Sequence, residues 1–325
     1  MYRDIQGPIA KVGPLSAMIH DYNFLPLYEL SGINAYLKIE AMNPSGSIKM
    51  KAALGMISDL ENRNVINEDT ILIESSSGSL GVALSIICAE RGYQFVCVVD
   101  PNAMPSNIRY MKALGTRIVM IEHRDINGGF LGSRISYIKG CIAEDQRYVW
   151  LNQYENHKNP AMHANTTATA ITDTFDKIDY LFIGAGTTGT LMGCLQHFAT
   201  LSPDTRIIAV DSIGSVTFGV PPGRRVIPGL GSSHRPGIYQ PAGIYAFELI
   251  PEAEAVMTCR QLARRYGLLA GGSTGTVMSA LYKWHTRIEP GSTVVAISPD
   301  FGERYLDTIY NDEWVNESFE LVTIK

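Results

Sequence analysis

A single lysine follows a turn-forming run in the first fifth of the sequence. Residues 43–49, the lysine turn, read Asn-Pro-Ser-Gly-Ser-Ile-Lys, and an apolar periodic segment follows directly. Asparagine, proline, serine and glycine favour a turn and a helix cap, so Lys49 is predicted at a helix N-terminus. The helix dipole helps keep the amine neutral, as Schiff-base chemistry requires. A surface lysine beside a capped helix is the commoner reason for such a run.

A glycine- and threonine-rich run could bind phosphate. Residues 184–190, the threonine turn, read Gly-Ala-Gly-Thr-Thr-Gly-Thr and lie between a predicted strand and a predicted helix. Successive backbone N–H groups and the helix dipole bind phosphate at such places. The spacing also fits Gly-x-Gly-x-x-Gly, and Asp211 ends the next predicted strand, so a dinucleotide site is an alternative. A turn that merely packs a helix tightly is a third interpretation.

Three further runs carry polar groups next to predicted strands or helices. Residues 74–81, the serine turn, read Glu-Ser-Ser-Ser-Gly-Ser-Leu-Gly. Their amides could bind a carboxylate, or the serines could simply cap a helix. Residues 271–275 read Gly-Gly-Ser-Thr-Gly and precede a predicted helix. Residues 298–305 read Ser-Pro-Asp-Phe-Gly-Glu-Arg-Tyr, which alone predicts a surface turn.

The elements that would position these turns alternate between strands and helices. Strands are predicted at 35–40, 70–74, 94–99, 117–121, 148–151, 180–183, 206–210 and 293–297, and helices at 48–63, 80–91, 106–114, 129–143, 163–175, 188–201, 252–266 and 274–287. This alternation predicts an α/β fold with parallel sheets covered by helices on both faces. Ligands in such folds bind beyond the carboxyl ends of the strands. Residues 214–243, the glycine-rich segment, lack periodicity and are expected to lie over a site.

The composition argues against several classes of protein. The chain has 325 residues, 46% of them hydrophobic, and a net charge of −5, so it gives no reason to expect nucleic acid or a membrane as partner. The N-terminal run lacks a signal-peptide core, and no apolar run is long enough to span a bilayer. A cytoplasmic protein is expected. The five cysteines and seven histidines show no metal-ligand spacing, so buried free thiols and no metal site are predicted.

Taken together and in order, the motifs resemble those of a known enzyme family. The lysine turn, the serine turn, Asn152-Gln153-Tyr154, the threonine turn, Gly-Gly-Ser-Thr-Gly and Pro-Asp-x-Gly-Glu-Arg-Tyr extend over nearly the whole chain. This order resembles the cysteine synthase and cystathionine β-synthase family of pyridoxal-phosphate enzymes, fold-type II. The resemblance implies two doubly wound, open parallel-sheet domains with pyridoxal 5′-phosphate between them.

The resemblance also implies a role for each matching residue. Lys49 would hold the cofactor covalently and act as the catalytic base. The cofactor-binding residues would be Ser79, Gly186, Thr187, Thr188, Gly189, Thr190 and Ser273, with Ser273 at the pyridine nitrogen. The substrate-binding residues would be Ser76, Ser77, Leu80, Arg134, Gln153 and Tyr154. The family has asparagine at the position of Ser79 and often threonine at that of Leu80.

Domain division and assembly are further implications of the resemblance. A large domain that binds the cofactor phosphate is expected at residues 1–44 plus 149–325. A small mobile domain that carries the substrate loop is expected at residues 45–148. A homodimer acting on small amino-acid substrates is expected.

Within the family, several runs resemble the siderophore-pathway branch. They are residues 128–134, 152–154, 210–216 and 228–231, and Met50-Lys51 stands where cysteine synthases have Asp-Arg. That branch makes N-(2-amino-2-carboxyethyl)-L-glutamate, a 2,3-diaminopropionate precursor, from O-phospho-L-serine and L-glutamate. It has serine at the position of Gly186. The expected function is therefore β-replacement on an activated L-serine, with O-phospho-L-serine and L-glutamate as the expected pair.

Three alternatives stay open from the sequence. One is a cysteine synthase that uses O-acetylserine or O-phosphoserine and sulfide. The second is an NAD-binding oxidoreductase, which the spacing of the threonine turn would allow. The third is a catalytically inactive binding protein with the same fold, suggested by Ser79.

Overall fold

The computed structural model describes residues 15–125 and 128–319. Within them the strands form two sheets. The strands are β1 Phe24–Pro26, β2 Asn34–Ile39, β3 Ile71–Ser75, β4 Gln94–Val99, β5 Arg117–Met120, β6 Tyr148–Trp150, β7 Tyr180–Gly184, β8 Arg206–Ser212, β9 Ala246–Ile250 and β10 Thr293–Ser298. The larger sheet has the order β1-β2-β10-β7-β8-β9, and the smaller sheet has the order β5-β4-β3-β6.

Every pairing in the two sheets is parallel except that of β1 with β2. In the small sheet the strand order reverses between β3 and β6, and such a switch point opens a crevice at the carboxyl ends of the strands. The serine turn follows β3, the threonine turn follows β7, and Asp300 follows β10. The candidate site residues therefore collect at strand ends, as parallel topology requires.

Helices connect the strands and cover both faces of each sheet. They are α1 Lys49–Asn62, α2 Ser79–Arg91, α3 Pro105–Ala113, α4 Leu131–Glu144, α5 Lys158–His163, α6 Thr169–Thr174, α7 Gly189–Leu201, α8 Glu252–Tyr266, α9 Gly272–Trp284 and α10 Asp312–Phe319. A π-helical turn at Ala164–Ala168 joins α5 to α6. Short 3-10 turns lie at Ser16–Met18, His285–Arg287 and Glu303–Tyr305.

Separate apolar clusters hold the two sheets. In the large sheet, α9 packs on one face through residues such as Leu281, and α7 packs on the other through Phe198. In the small sheet, α1 and α2 share a cluster that contains Met56 and Leu84. The small-sheet cluster therefore includes α1, whose first residue is Lys49.

Most predicted elements appear within one or two residues of their expected bounds, and the differences have local causes. β1, β9 and α10 were not predicted. β1 ends in Pro26, a residue that argues against a strand, and β9 follows the unpatterned glycine-rich segment. The helix predicted at 163–175 is instead α5, the π turn and α6. Threonine hydroxyls there bond to backbone carbonyls, as Thr166 Oγ1 does to Met162 O at 2.7 Å, and such bonds bend helices.

The composition led to expectations about membrane spans, metal sites and cysteines. No helix among the described residues is both long and apolar enough to cross a bilayer. No cluster of metal-binding side chains occurs in residues 15–125 and 128–319. All five cysteines are free thiols, and Cys141 is partly exposed. The N-terminal run that was expected to lack a signal-peptide core falls in residues 1–14, outside the described residues.

The contact between α5 and α7 leaves no room for a side chain at Gly193. A Cβ built there would lie 2.4 Å from the carbonyl oxygen of Pro160, which is backbone and cannot turn away. We expect Gly193→Ala to lower the free energy of unfolding by about 1–3 kcal/mol, because an overpacked contact must shift the two helices. Gly140→Ala in α4 is the matched control, since a Cβ there meets nothing within 4 Å.

The control should be neutral or stabilising by up to about 1 kcal/mol, because alanine loses less conformational entropy than glycine on folding. Thermal and urea unfolding of the two variants would measure both effects. Equal stability of the two variants would contradict the packing account.

Candidate active site

The lysine turn is held by its own side chains and by the end of β10. Asn43 Oδ1 accepts hydrogen bonds from the Ser45 amide at 3.0 Å and the Ser45 hydroxyl at 2.8 Å. The amide of Ile48 donates to Pro299 O at 2.7 Å, and Ser47 forms a backbone bridge with Asp300. Neither serine caps α1, since Ile48 occupies the N-cap position and makes no side-chain cap. The serines therefore shape the turn, and the predicted helix cap is wrong.

Lys49 is the first residue of α1 and is only partly accessible. Burial lowers the pKa of its ammonium to about 8, while the carboxylate of Asp300 acts in the opposite direction. Relative to the ordinary value of 10.5, the neutral fraction at a given pH below 8 is about 300-fold larger. Desolvation is the largest contribution to this shift, a cause that the sequence did not reveal.

The threonine turn offers the geometry of a phosphate site. Thr188 has a left-handed φ of 68° and is followed by Gly189, the first residue of α7. The Thr188 hydroxyl is buried and has no hydrogen-bond partner among the described residues. A buried hydroxyl without a partner costs free energy, and an anion at the start of α7 would satisfy it. These residues fit the phosphate group of pyridoxal phosphate.

The glycine-rich segment lies against this turn. The amide of Gly231 donates to Ala185 O at 3.2 Å, and a Cβ at Gly186 would lie 2.9 Å from Gly229 O. A serine at position 186 would therefore press on backbone. Glycine is therefore favoured at position 186, because the glycine-rich segment lies too close to leave room for a side chain.

In the serine turn, some polar groups bond within the protein, and others are left without a partner in the helix. Ser76 Oγ accepts hydrogen bonds from the amides of Gly78 and Gly81, so it caps the start of α2. The Leu80 side chain is buried in the apolar cluster of the small sheet. As the first two residues of α2, Ser79 and Leu80 have backbone amides without an acceptor inside the helix. Those two amides, rather than the Leu80 side chain, are suited to bind a carboxylate.

Arg134 comes from α4 and reaches the serine turn. Its Nη1 donates to Ser77 Oγ at 2.7 Å and lies 3.3 Å from the carboxylate of Asp100. Ser77 in turn donates to Asp100 at 2.8 Å. The Arg134 Nε is buried and has no hydrogen-bond partner within residues 15–125 and 128–319. The guanidinium thus has an unused donor next to the serine turn, but part of its charge is balanced by Asp100.

Gln153 is connected to both the serine turn and the threonine turn. Its Nε2 donates to Ser75 O at 2.9 Å. Asn159, which is 1% exposed, donates to Gln153 O at 3.0 Å and to Thr187 Oγ1 at 3.2 Å. A single buried amide therefore joins the residues after β6 to the predicted phosphate turn.

A buried carboxyl group, that of Glu74, lies next to Gln153. Glu74 Oε1 accepts from the Ser75 amide at 2.8 Å, and burial raises the pKa of Glu74 to about 7. The Glu74 carboxyl group, at the first position of the serine turn, therefore bonds both to the next residue and to the amide of Gln153.

Tyr154 lies where the small sheet meets the glycine-rich segment. Its backbone carbonyl accepts a hydrogen bond from the Ile238 amide at 3.0 Å. Burial raises the pKa of the Tyr154 phenol, and the guanidinium groups of Arg134 and Arg225 oppose that rise. Two positive charges are therefore close to one phenol.

Ser273 is the second residue of α9 and is 3% exposed. Its hydroxyl donates to Asp300 Oδ1 at 3.1 Å. The neighbouring Thr274 hydroxyl is bonded to Ser298 Oγ at 2.9 Å and is fully buried. Of the two hydroxyls, that of Ser273 is the one adjoining Asp300 and, through it, Lys49.

Lys51 and His163 lie behind the threonine turn. Lys51 Nζ contacts Glu40 Oε2 at 2.5 Å and Thr167 Oγ1 at 3.0 Å. Burial and the charge of Lys51 lower the pKa of His163 to about 3. A neutral His163 then contacts the Thr190 hydroxyl at 3.4 Å.

Several of these residues were not among the predicted site residues, and they include Asn159, Glu74, His163 and Asp300. Asp300 and Glu74 stood inside the motifs quoted above, at strand ends, where a surface turn and a helix cap were the simpler interpretations. Asn159 and His163 occupy no motif, so no local pattern pointed to them.

Comparison with known proteins gives a consistent result. The family model described as "pyridoxal-phosphate dependent enzyme" matches residues 20–300. O-ureido-L-serine synthase is 27% identical over 95% of this chain and 96% of its own, with a TM-score of 0.85. The O-acetylserine dependent cystathionine β-synthase of Helicobacter pylori is 27% identical over 91% of this chain and 97% of its own, also with a TM-score of 0.85.

A third similar structure is a hydrogen sulfide-producing enzyme from Fusobacterium nucleatum. It is 28% identical over 89% of this chain and 98% of its own, with a TM-score of 0.83. These matches decide against the NAD-binding alternative. Asp211, which that alternative placed on a ribose, is fully buried and accepts from the Ser212 amide at 2.8 Å. With its parallel sheets and cysteine synthase-like neighbours, the chain belongs to the fold-type II family of pyridoxal-phosphate dependent enzymes.

Proposed function

We propose that this enzyme carries out β-replacement on O-phospho-L-serine with an amino acid, L-glutamate, as nucleophile. The observation that carries the proposal is the Lys49 amine, whose pKa burial lowers to about 8, in a turn that pairs with Asp300 through Ser47. β-Replacement on serine-type substrates by cysteine synthase-like enzymes is supported by the family and by the printed names of the similar structures. The substrate pair is the part that the proposal adds.

Lys49 has two tasks in this scheme. When bound, pyridoxal phosphate withdraws electrons from the α-carbon of the amino acid. Lys49 anchors the cofactor and, once released, takes the α-proton and later returns it. A pKa near 8 leaves about a tenth of the amine neutral at pH 7, which suits a base near neutral pH.

The serine turn orients the substrate. We assign the α-carboxylate of the substrate to the amides of Ser79 and Leu80 at the start of α2, with Ser77 and Gln153 beside them. The start of a helix favours a carboxylate through its dipole. Ser76 acts through its hydrogen bonds to Gly78 and Gly81, which fix these amides in place.

Arg134 is assigned to the leaving group. A guanidinium is a planar donor suited to phosphate, and the Arg134 Nε has no hydrogen-bond partner within the described residues. Arg134 and Arg225 both lie close enough to Tyr154 to act on the pKa of its phenol, so a second anionic substrate near Tyr154 would meet positive charge as well. A dicarboxylic amino acid as nucleophile fits this environment.

A second candidate function rests on Asp100. Its carboxylate, 3.3 Å from Arg134, offsets the charge that a phosphate would need. A neutral leaving group such as that of O-acetylserine, with sulfide or a thiol as nucleophile, would suit a balanced pair better. The names of the similar structures, which refer to O-ureido-L-serine, O-acetylserine and hydrogen sulfide, lie closer to this candidate.

The inactive alternative depends on Ser79. Its hydroxyl has no hydrogen-bond partner within residues 15–125 and 128–319, so it is available to a ligand. Mixing the holoenzyme with O-phosphoserine, O-acetylserine or serine, then with glutamate or sulfide, and identifying products by mass tests all three functions. Absence of any product with every pair would leave a binding protein.

Covalent capture of the cofactor should follow the protonation of Lys49. Only the neutral amine attacks an aldehyde, so the capture rate of cofactor-free protein should rise with pH to half its plateau near pH 8. Rapid-mixing absorbance would record it. Lys49→Ala should show no covalent capture and no turnover, whereas Lys139→Gln, at an exposed lysine of α4, should behave as the parent. A rate still climbing at the pKa of an ordinary lysine would contradict the assigned environment.

Substitutions at Arg134 and Asp100 should act in opposite directions. Arg134→Gln should reduce kcat/KM for O-phosphoserine relative to O-acetylserine by about tenfold to a hundredfold, since a charge-assisted contact contributes roughly 1.5–3 kcal/mol. Asp100→Asn should raise the same ratio, because it removes the competing carboxylate. Steady-state kinetics with both substrates measures the ratio directly. A ratio unchanged by both variants would favour the O-acetylserine candidate.

We also propose a homodimer in which the small domain, residues 45–148, closes over the site. β6 Tyr148–Trp150 pairs with β3, so a division by sheets would place the boundary a few residues later. A carboxylate bound at the serine turn would draw that domain inward. We expect a mass in solution of twice 35.7 kDa and a smaller radius of gyration on adding serine. Light scattering and small-angle X-ray scattering check both, and a monomer would refute the assembly.

A further inference from the structure

A buried ammonium group behind the threonine turn fixes the direction of a hydrogen bond. Lys51 is 1% exposed, and its Nζ contacts Glu40 Oε2 at 2.5 Å and Thr167 Oγ1 at 3.0 Å. Burial acts to lower the pKa of Lys51, but the carboxylates of Glu40 and Asp21 outweigh burial and raise that pKa. The amine therefore stays charged, and an ammonium group can donate hydrogen bonds but cannot accept them. Thr167 Oγ1 is the acceptor in this contact.

The hydroxyl proton of Thr167 is directed to a histidine. Thr167 is 0% exposed in the π-helical turn, and the other hydrogen-bond partner of its Oγ1 within the described residues is His163 Nδ1, at 3.3 Å. A buried hydroxyl whose proton has no acceptor costs free energy. Because Lys51 already supplies a donor to Thr167, the hydroxyl donates its own proton to His163 Nδ1.

His163 carries the same direction on to the threonine turn. Burial, together with the charge of Lys51, lowers the pKa of His163 to about 3, so the ring is uncharged near neutral pH. An uncharged imidazole has a proton on one nitrogen and accepts at the other. With Nδ1 as the acceptor, the proton is on Nε2, which lies 3.4 Å from Thr190 Oγ1. Both histidine contacts are longer than ordinary hydrogen bonds, so their direction matters here more than their strength.

Thr190 keeps a hydroxyl proton that faces away from His163. It is the second residue of α7, directly after Gly189. Its Oγ1 accepts the Nε2 proton and has no further hydrogen-bond partner in the described part of the chain. The Thr190 proton is therefore available to an acceptor at the start of α7, where the helix dipole favours an anion.

Thr187, in the same turn, also receives a donor from within the protein. The side-chain amide of Asn159 faces Gln153 O at 3.0 Å, and a carbonyl can only accept, so the atom that faces it is the nitrogen. The same Nδ2 donates to Thr187 Oγ1 at 3.2 Å. The two threonine hydroxyls thus accept from protein groups behind them, which leaves both of their protons for a ligand.

We propose that Lys51, Thr167 and His163 form a relay of hydrogen bonds with one direction, which orients the Thr190 hydroxyl proton toward the phosphate group of the cofactor. The three are positioning residues, because none of them is assigned a contact with the cofactor. The inference rests on the proposed placement of that phosphate at the threonine turn. Phosphate oxygens need donors, and a Thr190 proton turned back to His163 would present a lone pair to them instead.

The first test is the nitrogen-15 spectrum of protein labelled in its histidine rings. In the parent we expect the proton on His163 Nε2 and the shift of a hydrogen-bonded acceptor for Nδ1, with His163→Gln used to assign these signals among the seven histidines. Thr167→Val should give Nδ1 the shift of an acceptor without a donor, and Thr167→Ser should restore it. Thr166→Val is the matched control. The Thr166 hydroxyl bonds to Met162 O, so the His163 signals should not change.

The second test compares cofactor-free protein binding pyridoxal phosphate and pyridoxal, which lacks the phosphate. Both aldehydes react with Lys49, so the ratio of the two affinities, the phosphate ratio, isolates the contribution of the phosphate group. His163→Leu should lower the phosphate ratio by about twofold to tenfold, which is the usual effect of one neutral hydrogen bond. His163→Gln should restore most of it, because its amide nitrogen can donate from nearly the same place as Nε2. Absorbance titration measures both affinities.

The outcomes separate the relay from the placement of the phosphate. A proton on His163 Nδ1 in the parent would overturn the relay even if the variants failed to fold. An unchanged phosphate ratio in Thr190→Val would show that the phosphate lies elsewhere, and the proposal would fail with its placement. A ratio lowered by Thr190→Val but not by His163→Leu would refute the relay alone. No amino-acid substrate is involved, so failure of the proposed β-replacement would leave both tests intact.

Discussion

The site depends on the way in which three chain segments are tied together beyond β10. Buried backbone amides and carbonyls need partners, and here the lysine turn, the start of α9 and residues 299–302 supply them to one another. Ile48 bonds to Pro299, Gly271 to Asp300, and Gly302 to Leu269. These bonds fix Lys49 and Ser273, which are far apart in sequence, relative to one carboxylate. The position of the reactive amine is therefore constrained, and burial keeps its pKa below that of an ordinary lysine although Asp300 acts in the opposite direction.

The two sheets are joined on the other side of the site by neutral polar groups. Asn159 bonds to Thr187 and to the carbonyl of Gln153, while Gln153 bonds to Ser75. The turn suited to an anion and the turn suited to a carboxylate thus share one hydrogen-bonded path. A buried amide that loses its hydrogen-bond partner costs free energy. A shift of either turn would break one of these bonds and so disturb the other turn. Under the roles proposed above, a ligand bound at the threonine turn would therefore affect the position of the serine turn.

The sequence was sufficient for the fold class and for most strands and helices, because strand and helix periods alternate and the motifs mark strand ends. It was insufficient where tertiary contacts decide. The break between α5 and α6 depends on threonine hydroxyls that bond to the backbone. Burial, which no motif reveals, is the largest cause of the lowered pKa of Lys49. The predicted site residues cluster where strand ends meet, but Asn159 and His163 belong to no motif. Their importance comes from partners that are distant in sequence.

The contact between Gly186 and the carbonyl of Gly229 has a consequence for protein engineering. Position 186 belongs to the turn after β7, whereas position 229 belongs to the long segment that follows β8. A turn transplanted from a relative with serine at position 186 would meet that carbonyl unless the segment were exchanged with it. The two stretches therefore form one module, and homologous recombination that separates them should yield poorly assembled chimeras. Library designs for this scaffold would do well to inherit both stretches from a single parent.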